Sequence, residues 1–385
     1  MAQDTQGIDR ASAPVGFIPE DEGRQVEDGV ALCLSGGGYR AMVFHVGALW
    51  RLNELGMLRR IDRFSSVSGG SITAATLGLH WDELGFDDKG VAANFKEALV
   101  IPIRRLASVT VDVGAILGGL LWGGIAARVQ AAYRKHLFGK KTLQDLPDEP
   151  RFVINATNVQ SKVLWRFSKP YMADWRVGRV MKPRVPLAVA VGASSAFPPF
   201  LSPVRLDLRH EKFEPGTGAD LQSPPFTTRA VLTDGGVYDN LGLETAWKRY
   251  RTVLVSDGGG ATPAEPEPAR DWARHTYRVL NVVDNQVRSL RKRQIMDGFQ
   301  SGLRKGAYWS VWSDMQSMAN VQPLPCAPAH CQELAGTPTR LKAMEPRLQE
   351  RLVNWGYAAC DATLRAHGLA VNSPEARFPY PNGIA

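Results

Sequence analysis

The segment VALCLSGGGYRAMVFHVGALWRLNEL constrains the fold more than any other part of the chain. Val30–Leu34 is an apolar run of strand length that leads straight into Gly36, Gly37 and Gly38. Beyond it Ala41, Phe44, Ala48, Leu52 and Leu55 recur at three- and four-residue steps, the spacing of an amphipathic helix. A second strand, small-residue turn and helix follow in FSSVSGGSITAATLGL. Other short apolar runs, at Phe152–Ala156, Leu164–Phe167, Val231–Leu232 and Val253–Val255, alternate with helical patterns. Such alternation predicts an α/β sheet covered by helices, with ligands outside the carboxyl ends of the strands, where helix N-termini present free N–H groups. The two turns are candidates to face one another there.

With 385 residues, 44% of them hydrophobic and 22% charged, the chain can bury a sizeable core, and disordered or low-complexity classes are excluded. No internal repeat or long linker interrupts it, and the Pro-rich patches at 262–268 and 323–328 read as loops within one fold. The four cysteines, Cys33, Cys326, Cys331 and Cys360, are irregularly spaced, and MAQDTQGIDR lacks the basic-then-apolar pattern of a secretion signal. A reducing cytoplasm is the expected location.

The chemistry concentrates at Ser68. It stands between a hydrophobic strand and a helix, with the small residues Ser66 and Gly70 two positions away on either side, the pattern of a nucleophile elbow. Acyl transfer from such a serine needs N–H donors aimed at a developing oxyanion, and the turn at Gly36, Gly37 and Gly38 can supply them. A phosphate-binding loop is the competing reading, but SGGGYRAM has neither a Gly-Lys-Ser/Thr ending nor spaced dinucleotide-binding glycines. None of the seven histidines sits in a motif that recommends it as a base. A Ser–Asp pair is the economical alternative, with Asp234 of TDGGVYDNLG or Asp257 of VSDGGG as partner. Both follow an apolar strand and precede glycines, so propensity alone does not separate them.

GGGYRA, SVSGG, ATN at 156–158 followed by WRFS, ASSAFPPF at 193–200 and DGGVYDN, in that order, resemble the bacterial patatin-like phospholipases over roughly residues 29–260. The resemblance implies a three-layer α/β fold with a mostly parallel central sheet flanked by helices. It further implies a serine acylhydrolase that releases fatty acid from glycerophospholipids through an acyl-serine. Ser68 would be the nucleophile, Asp234 its base, Gly36, Gly37 and Gly38 the oxyanion donors, and Arg40 a support for that loop or for substrate. Asp257 would belong to a neighbouring structural strand. Ser66 departs from the simplest pattern, which has glycine there. Neutral-lipid or thioester hydrolysis, a phospholipase switched on by a small-molecule signal, and a non-catalytic lipid-binding protein are the alternatives, in that order.

The resemblance divides the chain into an N-terminal extension at 1–28, a catalytic core at 29–260 with an apolar cap or membrane-facing segment near 101–135, and a mainly helical C-terminal extension at 261–385 packed on the core. Leu348, Leu352, Trp355 and Ala359 mark a helix in that extension, with Gly368 where its cap would fall. No cofactor or metal is expected; CAPAHC, with Cys326, His330 and Cys331, lacks a convincing fourth ligand.

The expected partner is a phospholipid or membrane surface, reached peripherally on the inner face. Residues 113–127 carry no charge and hold Trp122, yet are too short and glycine-rich for a confident span. From Asp271 to Ser313 eight Arg or Lys stand against three Asp, within a chain of net charge +8. Arg288, Arg291, Lys292 and Arg293 are the candidates there to attract anionic lipid. Nucleic acid is not expected, because no recognition signature accompanies the charge.

Overall fold

The computed structural model describes residues 26–111, 124–199, 201–260, 264–318, 321–370 and 374–385. Among them ten strands join in one sheet. Strands β1 (Glu27–Leu34), β2 (Arg63–Val67), β3 (Arg151–Asn158), β9 (Tyr250–Asp257) and β10 (Lys305–Ser310) form its parallel part, in the order β10-β9-β1-β2-β3. From β3 the sheet continues antiparallel through β4 (Val163–Phe167), β5 (Tyr171–Asp174) and β6 (Gly178–Met181). All six sequence-predicted strands are present, each longer than its apolar run.

Side-chain alternation on β1 creates the layers. Leu32 and Leu34 enter the larger core, whereas Ala31 and Cys33 enter a smaller one with Leu241, Trp247, Val253, Val255 and Ile295. The larger core lies under α1 (Gly38–Glu54) and α2 (Gly69–Leu79), and also takes in residues of α3 (Gly124–Tyr133) and α4 (Leu187–Ser194). The smaller one is closed by the C-terminal half of α5 (Trp272–Gln300), where Ile295 is buried and Phe299 packs alongside.

The segment beyond residue 260 adds both a helix and an edge strand. β10 pairs with β9, and α6 (Pro346–Ala366) crosses α1 so closely that a Cβ on Gly47 would lie 1.9 Å from the Val353 carbonyl oxygen. A Cβ on Gly356 would lie equally close to the Phe44 oxygen, so the crossing depends on a glycine in each helix. The buried Arg51 to Asp361 ion pair, at 2.8 Å, ties the same two helices. Gly368 follows α6 with φ 67°, the left-handed conformation of a helix terminus.

Candidate active site

One edge of β3 explains why Ser68 and Asp234 meet. Its first half pairs in parallel with β2, ending at Val67 opposite Asn155. The next residue, Ala156, pairs antiparallel with Asp234 at the end of β8 (Arg229–Asp234). The two strands therefore arrive end to end on one neighbour, and the residues that leave them converge.

Ser68 turns sharply out of β2 with φ 51° and ψ −118°, a conformation rarely adopted by a side-chain-bearing residue, and caps the N-terminus of α2. Its N–H donates to Ser194 Oγ at 2.9 Å, and the Ser194 hydroxyl donates to the Asn155 carbonyl at 2.6 Å. A Cβ on Gly69 would lie 2.2 Å from the Gly38 oxygen, and one on Gly70 would lie 2.3 Å from the Leu34 oxygen. The two turns do face one another, and their contact excludes side chains at both positions. The departure at Ser66 is accommodated, because its hydroxyl donates to the Val153 carbonyl and accepts from Ser71.

Asp234 is 2% exposed. Burial pushes its carboxyl up to about 7, while the hydrogen-bonded N–H of Gly236 and the neighbouring hydroxyl of Ser68 oppose the rise. A carboxylate in that state is half protonated near neutrality and suits a general base.

The glycine turn differs from expectation at one residue. Gly36 N–H donates to the Asn240 carbonyl at 3.0 Å, so it is consumed within the protein and does not serve as an oxyanion donor. Gly37 (φ 146°) and Gly38 (φ 59°) line the cleft with Ser68, and neither N–H donates to a described residue. Arg40 lies behind the turn. Its buried guanidinium donates to the carbonyls of Gly258, Ala335 and Thr337 and to Thr339 Oγ1, and it does not line the cleft. Its partners are the segments at 258 and 335–339, and none of these bonds goes to the glycine turn itself.

Asp257 ends β9, on the far side of β1 from the elbow. It accepts from Tyr308 at 2.7 Å and pairs with Arg288 and Lys292, which hold it well below the usual carboxylate range despite complete burial. These pairs also correct the reading of the basic stretch. Arg291 binds Glu244 at 3.1 Å, so three of the four candidate lipid-attracting cations point at protein carboxylates. Burial and a bond to Ser256 Oγ occupy His45, whose imidazole is lowered to about 4.

The site opens into a cleft of about 1010 Å³. Phe197, Pro198, Leu201 and Leu341 give it an apolar wall; Arg278, Asn281, Asp284 and Arg288 of α5 give it a polar one. Sequence reasoning missed Ser194, Asn240, Arg340 and this helix as parts of the site. ASSAFPPF and DGGVYDN contained the first two without suggesting their contacts, and nothing local signalled the others. Among the described residues no group of three or more His, Cys, Asp or Glu is placed to hold a metal ion, and no helix is long and apolar enough to cross a membrane. Most of the apolar segment 113–127 lies outside the described residues.

A sequence model of the patatin-like phospholipases matches residues 32–247, more than half of the chain. Among solved structures, human GIVD cytosolic phospholipase A2 superposes with a TM-score of 0.53 at 15% identity, over 96% of this chain and 64% of the other. VipD from Legionella pneumophila also aligns, at 15% identity with a TM-score of 0.36, over 89% and 67% of the two chains. The chain thus spans just under two thirds of the human protein structure. No curated protein sequence matches it.

Proposed function

Because the chain belongs to the patatin-like phospholipase family, and is a lipid acyl hydrolase on that ground, we propose that it cleaves acyl esters of glycerophospholipids with Ser68 as nucleophile and Asp234 as base. The observation that carries this reading is the buried Asp234, raised to about 7 at the end of a strand that meets the strained Ser68 turn in the lining of one cleft.

In the reaction, Asp234 takes the Ser68 proton while Oγ attacks the acyl carbonyl carbon. The negative charge gathers on the former carbonyl oxygen, and the N–H groups of Gly37 and Gly38 receive it. Collapse of the tetrahedral intermediate breaks the bond to the alcohol, which leaves with the proton held by Asp234. The acyl-serine remains. Water then attacks it, giving its proton to the same carboxylate, and collapse frees the fatty acid and restores the Ser68 hydroxyl. Asp234 needs no imidazole for this, since burial has already brought its basicity to the working range. The mixed apolar and polar lining of the cleft suits an amphiphile. A cytoplasmic enzyme working at the surface of the inner membrane is the setting that accords with this substrate.

Mass spectrometry of the products from mixed bacterial phospholipids, with Ser68→Ala as control, tests the proposal. Free fatty acid and lysophospholipid should appear only with the wild-type chain, and a fluorophosphonate probe should label Ser68. Labelling at another serine would overturn the assignment.

A further inference from the structure

Helix α5 reverses its faces halfway along. In its C-terminal half Ile295 is buried and Phe299 packs on the smaller core, as in an ordinary amphipathic helix. In its N-terminal half the residues turned inward are polar: Arg278, Asn281, Asp284 and Arg288 line the cleft. The apolar ones turn outward. At about 100° per residue, Trp272, Val279, Val283 and Leu290 fall within about 40° of one line, and Leu280 and Val282 widen the stripe to about 160°. All six are between 47% and 82% exposed. The anchored half holds the helix in place, so the outward stripe is not required for folding. Patches of this kind on a described surface mark a binding face.

We propose that this stripe is the face by which the enzyme docks on an anionic lipid surface, an inference that rests on reading the cleft as the site of lipid hydrolysis. Two features select lipid as the occupant. The first is continuity with the cleft mouth: Tyr277 is 42% exposed and also lines the cleft, as do Ala269 and Arg274 on either side of Trp272. Docking there sets the entrance against the layer from which an acyl chain must be withdrawn. The second is charge. Between Trp272 and Leu290 the only acid is Asp284, which faces the cleft; Asp271, the cap just before Trp272, is paired with Arg274, and Arg270 and Arg293 are exposed at the two ends of the stripe. A tryptophan and aliphatic side chains flanked by arginines is the composition of an interfacial helix. The docking element is thereby the apolar face of α5, and not the inward-paired Arg288, Arg291 and Lys292.

The test is flotation with vesicles of phosphatidylcholine alone or mixed equally with phosphatidylglycerol, using the Ser68→Ala chain so that binding is read without hydrolysis. Val282→Asp with Val283→Asp should lower partition onto the mixed vesicles by about tenfold or more. Leu280→Gln with Val283→Gln, gentler on the helix, should act in the same direction. In the active background the same pairs should lower vesicle hydrolysis in proportion and leave hydrolysis of a short-chain soluble ester unchanged. Unchanged partition with both pairs overturns the docking surface, even if the enzyme hydrolyses phospholipid. Partition lost on substitution in a chain that cleaves no ester would uphold the surface and remove the proposed function instead. Sedimentation supplies the remaining arm: wild-type dimers that become monomers on substitution, with vesicle binding intact, would make a second copy the occupant and overturn the lipid assignment.

Discussion

Asp234 and Asp257 occupy nearly identical local sequences, TDGG and SDGG, each at the end of an apolar strand and each fully enclosed. Their surroundings drive them in opposite directions. Around Asp234 the described groups offer one backbone N–H and one serine hydroxyl, so burial prevails and the carboxyl rises to about 7. Around Asp257 stand a guanidinium, an ammonium, a phenol and a backbone N–H, and together they overcome the same burial. One carboxylate is left able to exchange a proton near neutrality; the other is locked as an anion that joins α5 to the sheet. The comparison teaches that a buried aspartate becomes a base through what is withheld from it.

The sharpest way to break the comparison is to neutralise each partner in turn. Ser68→Ala and Asp234→Asn should each lower turnover of a soluble ester by about 10⁴-fold or more, and the double variant should be little worse, because groups that act as a unit are not additive. Asp257→Asn should keep its activity wherever it stays folded. The reverse ranking of the two aspartates in a simple rate assay would falsify the assignment.

Stability should rank them the other way. Asp257→Asn leaves Arg288 buried without its carboxylate and weakens the hold on Lys292, an expected loss of about 3 kcal/mol by denaturant unfolding. Asp234→Asn removes no ion pair, and its folded state should be at least as stable as wild type above neutrality.

The pH dependences should then slope in opposite senses. A carboxyl raised in the folded state stabilises most below its unfolded pKa, and that stability drains as pH rises to about 7. Asp234→Asn should therefore gain on wild type by about 2–3 kcal/mol between pH 5 and pH 8. A depressed carboxyl stabilises above its unfolded pKa, so the deficit of Asp257→Asn should shrink as pH falls below about 4. Catalysis should track the first group, with kcat/KM rising with pH toward a plateau above about 7. Parallel stability slopes for the two variants would show that the environments are not opposed.

What was legible in the sequence follows the same division between local and distant causes. The elbow at Ser68 could be read because its determinants, an apolar strand, small neighbours and a helix start, are contiguous. The choice between Asp234 and Asp257 could not be made from residue pattern, and the family resemblance supplied it. Physically the choice depends on which strand end meets β2 along β3, and on cations 31 and 35 residues beyond Asp257. The N–H of Gly36 was counted as a donor because a glycine turn does not disclose that Asn240 will accept from it. Helix α5 has a legible periodicity, yet a period fixes that a stripe exists and not which way it faces. The run KGAYWS became edge strand β10 by pairing with β9, a partner some fifty residues earlier.

Two serines give the smallest and most discriminating form of the comparison. Ser194 supports the Ser68 N–H from α4, and Ser256, one residue before Asp257, donates its hydroxyl to His45 Nδ1 at 2.8 Å, because Nε2 of that imidazole donates to the Ser35 carbonyl. Both hydroxyls are buried and hydrogen bonded, so alanine at either position should cost stability by about 1 kcal/mol. Only Ser194 lies on the path that sets the angle of the elbow, through Asn155 on one side and Ser68 on the other. Loosening it lets the strained φ of Ser68 relax and moves Oγ relative to Asp234, for which about a tenfold fall in kcat is expected, with KM and the midpoint of the pH profile unchanged. Ser256→Ala should leave kcat at the wild-type value. Equal kcat for the two variants, at matched folded fractions, would mean that the elbow holds its own geometry and that Ser194 acts only in packing.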